Sequence, residues 1–267
     1  MSQVECFYAF NRYGNRVACM FIHGPPEGGL LQSPDKPQQQ HQLVIVYSHT
    51  NAEGKGEGEG KNSLISLISK SYSFSDIGTT FLHLWRLRRA LCLPIFTYDY
   101  SGFGLSSGSP SERNLYADIE AAVEELGRRT NFKPSNMVLL GESIGSVATV
   151  HLAAKLADLH GVILQSAFLS GVRIYFNYPG PTMRCDPFPN IDRAPLIRAK
   201  TLVVHGSEDT LVDISHAVKL VGALPNAAVP FWANGYAHMN IHKHGHYYDR
   251  IRYFLLVELV VAPSSGI

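Results

Sequence analysis

The chain of 267 residues carries no excess of either charge: 23 lysines and arginines stand against 22 aspartates and glutamates, for a formal net charge of +1. Without a field of one sign it is not expected to bind nucleic acid or to steer an acidic substrate, so recognition must come from local shape and chemistry. Cysteines are few and scattered: Cys6, Cys19, Cys92 and Cys185 form no Cys-x-x-Cys pair and have no metal-ligand spacing. That pattern points to a reducing, cytoplasmic compartment rather than a disulfide scaffold. No run approaches the roughly 20 consecutive apolar residues needed to cross a bilayer. The opening "MSQVECFYAFNRYGNR" also lacks the basic-then-apolar order of a signal peptide. The expectation is a soluble protein or one that touches the cytosolic face of a membrane peripherally. A phosphate-binding loop is missing too, because the glycine-rich "EGKGEGEGKNS" lacks the Gly-Lys-Ser/Thr ending and opens no helix.

What the sequence does have is apolar residues, 45% of the total, enough for one large domain over residues 1–267. "VECFYAF" and "RVACMFI", joined by "NRYGN", read as an antiparallel hairpin. Then the rhythm changes. "QLVIVYSH", "PIFTYDY", "NMVLLGES", "GVILQSA" and "TLVVHGSED" are nearly continuous apolar runs, as parallel strands covered on both faces require. Between two of them, "ERNLYADIEAAVEELGRR" places Leu115, Ile119, Ala122, Val123 and Leu126 on one helical stripe. Ser109, Pro110 and Glu112 have the spacing of a capping box at its start. Alternating strands and helices predict an α/β fold with a mostly parallel, doubly wound sheet, whose ligands bind at the carboxyl ends of the strands. Stretches 24–42 and 53–75 read as flexible surface insertions.

Gly141-Glu142-Ser143-Ile144-Gly145 fits G-x-S-x-G between a predicted strand and a predicted helix. A serine at that corner stands above the sheet on a strained turn, and the flanking glycines remove Cβ atoms that would collide with neighbouring backbone. A hydroxyl nucleophile needs a base, and the base needs an acid to orient it. Asp209, just past "TLVVHGSE", is the favoured acid, with Glu208 and Asp213 as competitors and a helix N-cap as the alternative role. Of His238, His242, His244 and His246, only His238 directly follows a strand and a glycine-containing turn, which makes it the candidate base. The other three read as the solvated start of the last helix, and neither metal nor cofactor is expected. The backbone N–H groups of Ile144 and Asn51 are the candidate oxyanion donors.

Together with "YDYSGFGLSSG", "PSERNLYADI", "DPFPNID" and "AHMNI", these stretches resemble the α/β hydrolases, and within them the α/β-hydrolase domain-containing protein 17 group of protein depalmitoylases, over nearly the whole chain. The resemblance implies the α/β-hydrolase fold with a minimal lid, Ser143 as nucleophile, Asp209 as acid and His238 as base. It departs at two places. Thr50 stands where the family has glycine in His-Gly-Asn-Ala, beside the expected oxyanion hole, and the acylated, cysteine-rich head of the family is not among these residues. Within "DYSGFGLSSG", Asp99, Gly102 and Gly104 are expected to brace a loop beneath the site.

The segment "FLSGVRIYFNYPGPTMRCDPFPNIDRAP" is too short for a large lid and rich in aromatics; Phe168, Leu169, Tyr175 and Phe176 are candidate walls of an apolar groove. Burying about ten methylenes there contributes roughly 8 kcal/mol, which favours a fatty acyl chain over a polar peptide. Three functions follow as expectations: a hydrolase of acyl thioesters on S-acylated proteins, a carboxylesterase of acyl lipids such as monoacylglycerols or lysophospholipids, and a binding protein on the same fold that has lost turnover.

Overall fold

In the computed structural model, which describes residues 3–25, 43–50, 76–176 and 178–260, strands β1 (Val4–Phe10) and β2 (Arg16–Ile22) pair antiparallel from Val4 opposite Ile22 to Phe10 opposite Arg16. Asn11 closes their turn, its side-chain oxygen accepting the amides of Tyr13 and Asn15 at 2.9 and 3.0 Å, an Asx turn of the kind asparagine favours.

The apolar runs become β3 (Val44–Ser48), β4 (Ile95–Tyr98), β5 (Met137–Glu142), β6 (Gly161–Gln165) and β7 (Thr201–Gly206), followed by the short β8 (Phe231–Ala233). The eight strands lie in the order β1-β2-β4-β3-β5-β6-β7-β8. β3 to β8 are parallel, while β2 meets β4 antiparallel. The residues of β3 to β7 are buried throughout, because helices cover both faces. α2 (Glu112–Thr130), α3 (Gly145–Lys155) and α6 (Ile214–Ala223) pack one face around Val46, Phe96, Leu139 and Val162. α1 (Ile77–Leu91) and α7 (Tyr247–Tyr253) pack the other around Ile45, Leu140, Ile163 and Leu202. Among the described residues the connection from β6 to β7 holds two short α-helices, α4 (Gly171–Tyr175) and α5 (Asn190–Arg193), and a 3-10 turn at Ala194–Leu196.

Two boundaries differ from the sequence-based expectation. α2 begins two residues later, with Ser111 rather than Ser109 as its cap, accepting the Asn114 amide at 3.1 Å. Pro110 lies outside the helix and packs on Gly102, whose φ of 84° suits glycine. The last helix likewise begins after the histidines, with His246 as its N-cap. Of the two expected insertions, residues 26–42 and 53–75 lie outside the described residues.

Candidate active site

β5 ends at Glu142 and α3 starts at Gly145, which leaves Ser143 to make the corner at φ 53°, in the left-handed region. That conformation strains a residue bearing a Cβ, and the surroundings hold it: the Ser143 amide donates to the Gln165 carbonyl and its own carbonyl accepts from the Ser146 amide, both at 2.9 Å. The glycines are there for proximity. A Cβ on Gly145 would lie 2.0 Å from the Ser48 carbonyl oxygen, and one on Gly141 2.6 Å from the Gly145 oxygen. The helix N-terminus is thereby drawn onto β3 and β5, with the hydroxyl at the strands' carboxyl ends.

Asp209 reaches the same edge from the turn after β7. Its Oδ1 accepts the amides of Leu211 and Val212 at 3.0 and 2.8 Å, which fixes the carboxylate plane. Its Oδ2 lies 2.7 Å from Nδ1 of His238, and Nε2 of His238 lies 2.9 Å from Oγ of Ser143. Three residues from separate loops thus form one hydrogen-bonded chain, each side chain nearly closed to solvent. Burial by itself would raise the pKa of Asp209, but hydrogen bonds from His205 and His238, the His238 charge and the Val212 amide hold it well below the usual carboxylate range. The His238 loop is set by β8, by Gly235 at φ 77° and by Asn240, whose side chain accepts the Ala237 amide at 2.8 Å. Ser166 donates to the His238 carbonyl at 3.1 Å.

The competing residues lie elsewhere. Glu208 is exposed, and Asp213 caps α6 through the Ser215 amide at 2.9 Å. His242 packs against His83 with ring centroids 5.0 Å apart, and His244 packs against Phe231 and Tyr236. Ile144 stands at the N-cap position of α3, where opening amides have no carbonyl partner within the helix. Asn51 lies outside the described residues. The backbone leading to it is held at His49, whose carbonyl accepts the Tyr100 hydroxyl at 2.7 Å and whose Nδ1 donates to the carbonyl of the buried Thr50 at 2.8 Å. Asp99 accepts the Ile77 amide at 2.8 Å, and a Cβ on Gly104 would strike its carboxylate; both residues brace a loop.

Of the four expected wall residues, Phe168 is a correction. It is fully buried and meets Phe188 edge-on at 6.3 Å, because the chain turns inward after β6 and uses that ring to fill the core. Leu169, Tyr175 and Phe176 line a groove of about 280 Å³ with Ile174 and Tyr178, and its other lining is polar: Arg173, Asp213, Ser215, His216 and Lys219. Tyr175 and Phe176 remain exposed. Sequence reasoning missed the device that holds this wall. Buried Asp186 accepts the Ser170 hydroxyl at 2.7 Å, the Val172 amide at 2.8 Å and the Arg173 guanidinium at 3.2 Å. It also missed two groups that flank the Asp209-His238-Ser143 chain. His205 lies 3.1 Å from Asp209 Oδ2, signalled only by its four-residue spacing. Glu142 accepts the Tyr47 hydroxyl at 2.5 Å and the Gln165 amide at 3.0 Å, and Gln165 in turn accepts the Tyr247 hydroxyl at 2.7 Å.

Comparison with known proteins agrees with this fold. Residues 110–255 match the prolyl oligopeptidase family. The chain is 35% identical over 257 residues to human alpha/beta hydrolase domain-containing protein 17B, covering 96% of this chain and 77% of the relative. It is 34% identical over 265 residues to mouse alpha/beta hydrolase domain-containing protein 17C, covering 99% and 71%. In fold it is similar to the esterase domain of a Rhodothermus marinus protein, with a TM-score of 0.61 at 15% identity over 94% of this chain and 97% of the other. The Pyrococcus furiosus esterase Pf2001 superposes with a TM-score of 0.65 at 12% identity over 94% and 89%.

Proposed function

This chain is a hydrolase of the α/β-hydrolase domain-containing protein 17 family, and from that premise we propose that it is a serine hydrolase that cleaves fatty-acyl thioesters on protein cysteines. The observation that carries the reading is the unbroken path from the Asp209 carboxylate through His238 to the Ser143 hydroxyl, at 2.7 and 2.9 Å. Nδ1–H of His238 faces the carboxylate, so Nε2 is left with a lone pair directed at the hydroxyl.

Ser143 Oγ adds to the acyl carbonyl as its proton passes to Nε2 of His238, and the carbonyl oxygen becomes an oxyanion beside the amide of Ile144, with Asn51, outside the described residues, the expected second donor. The C–S bond then breaks, and the cysteine sulfur leaves with the proton from His238. Water, deprotonated by the same nitrogen, adds to the acyl-serine; Oγ departs with that proton and the fatty acid is released. Losing one oxyanion donor typically costs about 3 kcal/mol of transition-state stabilisation, so the conformation of the His49-Thr50 backbone matters more than its side chains. The groove beside Leu169, Tyr175 and Phe176 is the proposed site of the acyl chain carried by an S-acylated protein. Such substrates are presented at the cytosolic face of membranes, where contact is peripheral; among the described residues no helix is long and apolar enough to cross a bilayer.

The decisive experiment is Ser143→Ala, read with a fluorophosphonate probe and with thioester and oxygen-ester substrates of matched chain length. Labelling and turnover are expected to vanish, by a factor on the order of 10⁶ in kcat, while the thermal midpoint stays close to that of the parent. Turnover by the variant would remove the serine mechanism. Preference for the oxygen ester would move the substrate to acyl lipids, and failure of the unaltered protein to label, with labelling restored by Thr50→Gly, would make it a binding protein.

A further inference from the structure

His205 belongs to β7, whose neighbours on both sides bury it completely. Its Nε2 lies 2.8 Å from the Val212 carbonyl oxygen and 3.1 Å from Asp209 Oδ2. Both partners are acceptors, so this nitrogen carries the proton and shares it between the two ends of the turn that presents Asp209. Its Nδ1 is buried with no hydrogen-bond partner among the described residues. An imidazole that leaves one nitrogen orphaned is a poor choice for mere packing, where a leucine or valine would fill β7 at no polar cost.

The consequence falls on Asp209. Oδ2 receives two imidazole N–H groups, one from His205 and one from His238, while Oδ1 is occupied by two backbone amides. The first fixes where the second can bind, and it also withdraws electron density from the oxygen they share. The other ionisable groups that act on this corner are Asp213 and His216, both of which interact with His205 through charge; neither donates to Asp209.

We propose that His205 is a positioning residue for the hydrolytic reaction: its Nε2–H holds Asp209 Oδ2 in line with His238 and tempers the grip of that carboxylate on the imidazolium formed when Ser143 attacks. This rests on the serine-hydrolase reading above. Without the His205 donor, Asp209 becomes the stronger acceptor and the imidazolium of His238 is held more tightly, so the acid limb of the kcat/KM profile moves to higher pH.

The test uses the full chain with His205→Leu, His205→Gln and His205→Asn, alongside Ser143→Ala. The glutamine Nε2 occupies nearly the place of the histidine Nε2, whereas the asparagine amide stops one methylene short. His205→Leu and His205→Asn are expected to lose about tenfold in kcat with little change in KM, in keeping with the roughly 100-fold cost of an ångström of misplacement. Their acid limbs should move upward, and His205→Gln should restore both the rate and the profile. If the leucine variant does not fold, the contrast between glutamine and asparagine carries the test. Equal loss in glutamine and asparagine with an unshifted profile, or full activity in leucine, overturns the proposal while a dead Ser143→Ala leaves the parent reading standing. Turnover by Ser143→Ala would take both down together.

Discussion

Two histidine pairs lie at the buried edges of this molecule, and they differ in what stands between them. His205 and His238 share a carboxylate: both reach Oδ2 of Asp209, at 3.1 and 2.7 Å. His83 and His242 have no carboxylate between them and pack ring against ring at 5.0 Å, with Tyr47 behind His83 at 5.8 Å, while Glu142 acts on His242 through charge alone. Both His83 nitrogens are buried with no hydrogen-bond partner among the described residues. Burial, reinforced by the Arg86 charge, pushes the pKa of His83 down to about 4, and burial lowers that of His242 as well. An imidazole becomes a proton carrier when one nitrogen is anchored to an acid and the other is aimed at the group to be deprotonated. Without the acid, burial merely keeps the ring neutral.

The largest effects come from breaking the first pair. His238→Ala removes the base, and kcat is expected to fall by about 10⁴ to 10⁶ in an assay of acyl-thioester hydrolysis, with circular dichroism unchanged. Asp209→Asn keeps the shape but offers His238 a different donor pattern, so that the hydroxyl faces the wrong tautomer; a loss of about 10⁴ is expected. Activity within a few fold of the parent in either variant would mean that the carboxylate does not distinguish the two pairs.

The contrast between the pairs was only half legible in the sequence. Continuous apolar runs revealed the parallel strands, because burial on both faces leaves no alternation, and G-x-S-x-G between strand and helix marked the corner at Ser143. His238 was separable from His242, His244 and His246 by its place after a strand and a glycine turn. His205 was not, since its four-residue spacing from Asp209 in "VVHGSED" does not by itself say that an inward-facing strand residue will share an oxygen with that acid. Nor did aromatic content reveal that Phe168 fills the core while Phe176 stays in solvent. The direction of a side chain after β6 depends on the Asp186 cluster, which forms only once distant parts of the chain have met. Ser109 has the spacing of a cap in the sequence, yet Ser111 takes that role because Pro110 packs on Gly102 outside the helix.

Smaller effects test the second pair. Because the folded pKa of His83 is about 4 against an ordinary 6.5, the unfolded chain takes up a proton between those values that the folded chain refuses. Stability from this group is therefore whole above about pH 6.5 and is lost as pH falls toward 4, by roughly 2–3 kcal/mol over the interval. His242 adds to the loss with the same sign, whereas Asp209 contributes only below the ordinary carboxylate range. His83→Phe keeps the ring and the packing on Tyr47 but cannot be protonated. Its denaturation midpoint should fall less steeply than that of the parent between pH 7 and pH 4; parallel slopes would show that His83 finds a partner for its charge. His242→Ala, read in the same hydrolysis assay at pH 7, should change kcat by less than about threefold. A loss matching that of His238→Ala would make the two pairs equivalent, and the carboxylate would no longer explain which imidazole does chemistry.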